Sequence, residues 1–467
     1  MSKKRIEARR ALFKDLPSVD DLYHVLDIKN TSYPRNIIKS LFRQKLSDIR
    51  KDIESEKLNN NIRQVSIDII KTEFKKLTSF NLSNVINGTG IVLHTGLGRA
   101  PISKDLFIES FNRLYPYSNL EFNINSNKRG DRNDSIQNII NPILGSKRAL
   151  VVNNCAAAVL LSLNTFSENK EVIVSRGQQV EIGGTFRIPE VISKAGCIMR
   201  DVGATNKTYT KDYLNAISKE TGAILYAHTS NYRVIGFTKE IDIDGIGKIA
   251  RKSKIPFIVD AGSGCVALFK KFNMPEEKTV KEYFKKGADI VMFSGDKLLG
   301  GPQCGIIAGK KKYIEMIKAN PLYRALRVDK LTLSILESTL RTYISETEFD
   351  KMNLSLNLLT RNRVQIKHFG NLVLKNIPSK IVKEYNIELI DTMVEAGSGA
   401  MPINSLESAG LRFNSNNISP NSLSKKFRNA STPVIGYIND NKFIIDLKAV
   451  PLDFADNLSN VICEVML

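Results

Sequence analysis

The sequence predicts an α/β protein built on a mostly parallel sheet, preceded by a helical module and closed by a smaller α+β domain. Three observations lead there. From about residue 85, short aliphatic and β-branched runs end in Gly, Asn or Ser clusters and alternate with longer helical stretches, the pattern of β-α units. Residues 1–80 instead carry apolar positions at steps of three and four. After about residue 335 a helical segment leads into "INDNKFIIDLKAV", which reads as a hairpin. A chain of 467 residues is too long for one hydrophobic core. The expected division is 1–80, 81–335 and 336–467.

Element by element, Ser18 followed by Asp21 forms a capping-box pattern ahead of Leu22, Val25 and Leu26. Ile37, Ile38, Leu41, Phe42, Leu46, Ile49 and Ile53 then mark a helix, with Arg43, Lys45, Arg50 and Lys51 on its outer face. Ile62, Val65, Ile69, Phe74 and Leu77 mark another. The runs 149-ALVV, 172-VIV, 223-AILYA, 256-PFIVD and 290-IVMF are the expected strands, and Leu331 to Arg363 a long helical segment.

Composition narrows the class. The 42% apolar and 25% charged content belongs to a folded soluble protein. No run reaches a membrane span, and "MSKKRIEARR" leads into no apolar signal core, so the cytoplasm is the expected location. Five dispersed cysteines with no C-x-x-C pair, and four dispersed histidines, argue against a disulfide framework and against a metal site. The formal charge is +20. Residues 1–80 hold 18 Lys/Arg against 11 Asp/Glu, more than twice the basic surplus per residue of the rest. A polyanionic partner explains that surplus through counterion release, and a general basic bias explains it equally.

Chemistry concentrates at three strand ends. "PFIVDAGSG" puts Asp260 just past a buried strand, where a carboxylate is costly unless a charge meets it. Lys297 of "SGDKLLGGPQ" follows 37 residues later, room for one crossover helix and the next strand. An amine and an acid facing one crevice are what pyridoxal phosphate (PLP) requires: the amine bonds the aldehyde, and the acid keeps the ring nitrogen protonated. "VVNNCAAAVLL" offers a helix N-terminus for the cofactor phosphate, with Asn154, Cys155 and Ala156 at the turn, and Ser294 adds a hydroxyl. Singly, each has a plainer reading: Asp260 as a turn residue, Lys297 as a solvated lysine, the Asn turn as a helix start. Order and spacing favour the cofactor. The cysteines beside these motifs, Cys155, Cys265 and Cys304, read as small buried side chains.

Together "INGTGIVLHTGLGRAPIS", "NKRGDRND", "SRGQQVEIGGTFRIP", "HTSNYRVIGF", "DAGSG", "SGDKLLGGPQ" and "LYRALRVDKLTL" closely resemble the bacterial selenocysteine synthases, the L-seryl-tRNA(Sec) selenium transferases. The resemblance runs from "LPSVDDL" at residue 16 nearly to the end. It implies a fold-type-I, aspartate aminotransferase-like, PLP-dependent transferase, a homodecamer built from dimers, and an N-terminal domain that grips tRNA. Lys297 matches the lysine that carries the cofactor, Asp260 its pyridinium partner, and Asn154 with Ser294 part of the phosphate cradle. Arg99, Arg324 and Arg327 match arginines for the phosphate of selenophosphate; Arg324 and Arg327, three apart, are expected to face one anion from a single helical turn. His228 and Asn231 are expected near the cofactor ring, a satisfied core histidine being the other reading of His228. Cys155 and Cys304 stand where Asn and Ala are usual, and Tyr437 and Lys448 where arginines are common.

The implied reaction is β-elimination of the serine hydroxyl from L-seryl-tRNA(Sec), then addition of selenium to the aminoacrylyl intermediate, with Lys297 also acting as base at Cα. Two other readings stay open: a PLP-dependent β-eliminating lyase for a small amino acid, and an inactive tRNA-binding homologue.

Overall fold

The computed structural model describes residues 10–28, 33–229, 232, 234–267, 269–272, 274–345, 352–401, 405–414 and 418–467. They fall into two compact units, Met1–Asn84 and Val85–Leu467.

The first unit is helical: α1 (Val19–Val25), α2 (Arg35–Glu54) and α3 (Ile62–Thr78). Ser18 and Asp21 form the expected capping box, the Asp21 N–H donating to Ser18 Oγ at 3.0 Å and the Ser18 N–H to Asp21 Oδ2 at 3.1 Å. α2 buries Ile38, Phe42, Leu46, Ile49 and Ile53, while Ile37 stays half exposed. Phe42 anchors the core, edge-on to Tyr23 at 5.5 Å and to Phe74 at 6.3 Å. α3 buries Ile62, Ser66 and Ile70 and packs the expected Ile69, partly buried, against the same core; the Ser66 hydroxyl can be buried because it satisfies itself on the Ile62 carbonyl (2.6 Å). Arg43, Arg50 and Lys51 are exposed, whereas Lys45 pairs with Glu73 at 3.4 Å.

The second unit centres on a seven-stranded sheet. Its strands are β1 (Arg148–Val152), β2 (Glu171–Ser175), β3 (Ile198–Val202), β4 (Thr221–Ala227), β5 (Phe257–Asp260), β6 (Ile290–Ser294) and β7 (Gly305–Gly309), in the order β1-β7-β6-β5-β4-β2-β3. β6, β5, β4, β2 and β3 run parallel, and β7 is antiparallel to both its neighbours. All five expected runs are strands; β3 and β7 were not expected. Both sheet faces are buried: Phe257 and Val259 join one core cluster, and Ile258 joins the other. That burial explains the near-continuous apolar runs.

The expected helical segment 331–363 is interrupted. One helix, Lys330–Thr342, ends where the Tyr343 hydroxyl turns to the Leu299 carbonyl at 2.8 Å, and the next, Leu354–Thr360, starts on an Asn353 cap. Residues 346–351 lie outside the described residues. A second sheet has the order β8-β9-β11-β10, from β8 (Ile387–Val394), β9 (Leu406–Phe413), β10 (Tyr437–Asn439) and β11 (Lys442–Asp446). β10 and β11 form the expected hairpin, with Asp440 and Asn441 both at positive φ (46° and 55°) as a two-residue turn demands. Ile86–Asn87 pairs in parallel with Val434–Ile435, tying the start of this unit to its end.

Under this second sheet lies a buried charge cluster. Lys448 is 2% exposed and donates to the Arg361 carbonyl at 2.6 Å, and the Arg361 guanidinium reaches the Leu447 and Val450 carbonyls. Asp446 accepts from Ser408 Oγ at 2.6 Å and from the Lys448 N–H at 3.0 Å. Burial, with the Arg361 charge second, pushes the Lys448 amine down to about 8. The unfolded chain therefore binds this proton more tightly, and the lysine's contribution to stability rises as pH climbs from about 8 to 10.5. Relative to wild type, Lys448→Met should gain stability at pH 7, and that gain should shrink by on the order of 3 kcal/mol by pH 10.5 in urea unfolding.

Candidate active site

The carboxyl ends of β5 and β6 bring the predicted acid and amine together. Asp260 closes β5 opposite Met292 of the parallel β6, and Lys297 lies three residues beyond the end of β6. Both are 5% exposed. Burial pushes the Asp260 carboxyl up, opposed by the Gly262 N–H (3.0 Å) and then by the Lys297 charge. The Cys155 thiol donates to Asp260 Oδ1 at 3.6 Å and feels Asp260, Lys297 and the Ser294 hydroxyl, so four predicted side chains share one crevice. Burial pushes that thiol well up, so it stays protonated and serves as a donor.

Backbone closeness builds the crevice. The "SGDK" turn is held by hydrogen bonds from the Gly295 N–H to the Cys304 carbonyl, the Leu298 N–H to Ser263 and the Gly300 N–H to Lys297, each 2.9–3.0 Å. A Cβ on Gly264, at φ +69°, would lie 2.5 Å from the Ser294 carbonyl oxygen, so only glycine lets the "DAGSG" turn sit against it. A Cβ on Gly305 would collide with the Asn154 carbonyl in the same way. Asn154 caps α4 (Cys155–Ser167), its Oδ1 accepting from the Ala157 N–H at 2.8 Å, with Cys155 and Ala156 opening the helix. Ala156 also lines a cavity of about 700 Å³ that runs along α4 to Leu326.

Of the remaining predicted residues, Arg99 joins the site. It adopts φ +64°, and its guanidinium reaches Asp296, next to Lys297, at 3.1 Å. Burial raises the Asp296 carboxyl, and the Arg99 charge opposes this. His228 sits one residue past β4; its N–H donates to the Asp260 carbonyl (2.9 Å) and its Nε2 meets Glu277 at 3.2 Å. Asn231 lies outside the described residues.

The shared helical turn expected of Arg324 and Arg327 does not form. The helix Leu322–Leu326 ends because the Asn153 N–H takes the Leu326 carbonyl at 2.9 Å, and Arg327 continues extended, bridged to Val152. Arg324 is exposed, and the Arg327 guanidinium is 3.6 Å from Glu121. Sequence reasoning missed Asp296, although it lies inside a quoted motif. It also missed Glu277, which accepts from Ser263 Oγ (2.7 Å) and holds His228 from a loop without periodicity.

The donor set fits PLP. Among the described residues, the Lys297 ammonium has no hydrogen-bonded or ion-paired partner, although it is buried beside a buried carboxylic acid. An amine so placed is available to an aldehyde, and the acid to a ring nitrogen. No group of His, Cys, Asp and Glu suited to a metal occurs among the described residues, and none of their helices is long and apolar enough to cross a membrane.

Residues 85–451 match the family model of SelA, L-seryl-tRNA selenium transferase. The chain is 40% identical over 455 residues to the L-seryl-tRNA(Sec) selenium transferase of Alkaliphilus oremlandii, covering 94% of this chain and 95% of that one. It is 36% identical over 462 residues to the enzyme of the same name from Geobacter sulfurreducens, covering 97% and 99%. Among solved structures it is similar to D-glucosaminate-6-phosphate ammonia-lyase, with TM-score 0.57, 16% identity and coverage of 84% of this chain and 98% of that one, a likeness of fold.

Since a methyl group at position 305 forces the Asn154 turn away from β7, Gly305→Ala should cost about 1–3 kcal/mol in urea unfolding. It should also weaken PLP retention, measured by absorbance after dialysis.

Proposed function

Because the chain belongs to the SelA, L-seryl-tRNA selenium transferase, family, we propose that it converts L-seryl-tRNA(Sec) to L-selenocysteinyl-tRNA(Sec), with selenophosphate as selenium donor and PLP as cofactor. The observation that carries the chemistry is the pair of buried side chains, Lys297 and Asp260, at adjacent ends of parallel strands, with the Cys155 thiol facing both. The cofactor, when bound, supplies an electron sink for the charge left at the serine Cα. Lys297 and Asp260 would hold it by its aldehyde and ring nitrogen, and the α4 N-terminus with Asn154 and Ser294 by its phosphate.

Lys297 also moves the Cα proton. Its amine is buried and no carboxylate of the described residues is bonded to it, so no ion pair has to break before it reaches that proton. The Cys155 thiol and the Gly262 N–H orient Asp260 from its Oδ1 side. Glu277 fixes His228 beside the same acid. Arg99, Arg324 and Arg327 bind the phosphate of selenophosphate; Arg99 is the best placed, through Asp296. The first unit binds the tRNA through the exposed Arg43, Arg50 and Lys51. Residues 81–335 act as the catalytic domain and 336–467 as the small domain, in a cytoplasmic homodecamer of dimers. The small-substrate lyase reading leaves the first unit without a task, whereas the Geobacter transferase matches 97% of the chain.

Lys297→Ala should lose on the order of 10²–10⁴-fold or more in turnover, with tRNA binding unchanged by gel shift. Borohydride should fix PLP to the wild type and not to the variant. Selenocysteinyl-tRNA made by the variant would refute the assignment. Arg43→Glu with Arg50→Glu and Lys51→Glu should weaken tRNA binding and flatten its salt dependence, by about 0.7–0.9 in slope for each phosphate that is no longer neutralised.

A further inference from the structure

A second pocket, unclaimed by the groups above, opens beyond the ends of β2, β3 and β4. It encloses about 260 Å³, and of its lining side chains only that of Val234 is apolar. Such a lining suits a sugar or phosphate better than an apolar ligand. Lys207 and Lys239 stand side by side on it, their backbones joined in a parallel bridge: the Thr208 N–H donates to the Lys239 carbonyl, and the Lys239 N–H to Asn206, both at 2.8 Å. No carboxylate of the described residues forms an ion pair with either lysine, and Lys239 Nζ lies 5.2 Å over the Tyr209 ring. The lining sets these two cations against one carboxylate, Glu240, which is ion-paired with neither of them, and the surplus positive charge calls for an anion.

Gln178 forms the inner wall. It is 2% exposed, and its Nε2 donates to Glu240 Oε1 at 2.8 Å. A carboxylate only accepts, so the amide cannot be turned over, and the Gln178 carbonyl is left without a donor. That wall offers acceptors to a hydroxyl group, while the lysines offer charge to a phosphate. The pocket also lies close to the reacting centre. Thr229 on its rim follows His228, which is bonded to Asp260, and Ser175 ends a strand two places from β5, about 10 Å away.

We propose that this pocket seats the ribose and 5′-phosphate of the RNA's 3′-terminal nucleotide, which carries the serine. Resting on the aminoacyl-tRNA reading above, the assignment gives that substrate a second anchor. The 2′-hydroxyl meets Gln178 and Glu240, and the phosphate meets Lys207 and Lys239, which holds the serine in line with Lys297.

The test uses the full-length PLP-loaded enzyme and a stable probe, 3′-deoxy-3′-serylamino-adenosine, with and without its 5′-phosphate, as an inhibitor of seryl-tRNA(Sec) turnover. The wild type should bind the phosphorylated probe at least about tenfold more tightly, as one charge-assisted hydrogen bond supplies. Lys207→Ala with Lys239→Ala should erase that preference at unchanged PLP absorbance, and the paired arginine variant should keep it. No preference in an active wild type, or a preference that survives in the alanine variant, overturns this assignment alone. A wild type that makes no selenocysteinyl-tRNA overturns the parent reading instead.

Discussion

Everything else in this molecule is arranged around a buried amine set against a buried acid, at the ends of two neighbouring parallel strands. Removing an ammonium and a carboxylate from water costs several kcal/mol each unless their surroundings repay it. The second unit supplies those surroundings. Asp260 is met by an amide N–H and a thiol, and the lysine sits in a turn held by backbone hydrogen bonds from Gly295, Leu298 and Gly300. The apolar sheet beneath makes that arrangement rigid and keeps the local dielectric low.

Close backbone packing is what lets the groups meet. Two glycines, Gly264 and Gly305, sit where any side chain would push a neighbouring carbonyl away, and they press the "DAGSG" and "SGDK" turns and the α4 N-terminus into one corner. The antiparallel β7, inserted between β1 and β6, brings α4 beside Lys297. Around this corner lie outer partners in pairs, Arg99 with Asp296 and His228 with Glu277, each linking a distant loop to the corner.

The two units differ in their physics. The helical one has a small aromatic-anchored core and an exposed basic face, suited to a long-range, salt-dependent grip on a polyanion. The larger one has the enclosed, weakly solvated crevice that acid-base chemistry needs. A large charged substrate calls for both, and the relatives that match nearly the whole chain carry the name of a transferase acting on such a substrate.

Strand periodicity, the polar residues that end apolar runs, and glycine-flanked turns are local signals. For that reason five of the seven central strands, the capping box at Ser18, the hairpin at Asp440–Asn441 and the placing of Asp260 and Lys297 at neighbouring strand ends were legible in the sequence alone. Partner choice across long separations is not a local signal. Nothing in the residues around Glu277 announces that it will hold His228, and nothing in "RALR" announces that the Asn153 N–H will end its helix before Arg327. Strand direction is equally silent: the short, glycine-bounded run of β7 satisfies its hydrogen bonds either way, and only the packed sheet decides that it runs against its neighbours. The order of residues thus specifies which side chains must be buried together; folding in three dimensions selects which of them touch, because touching depends on closing distances that no local pattern encodes.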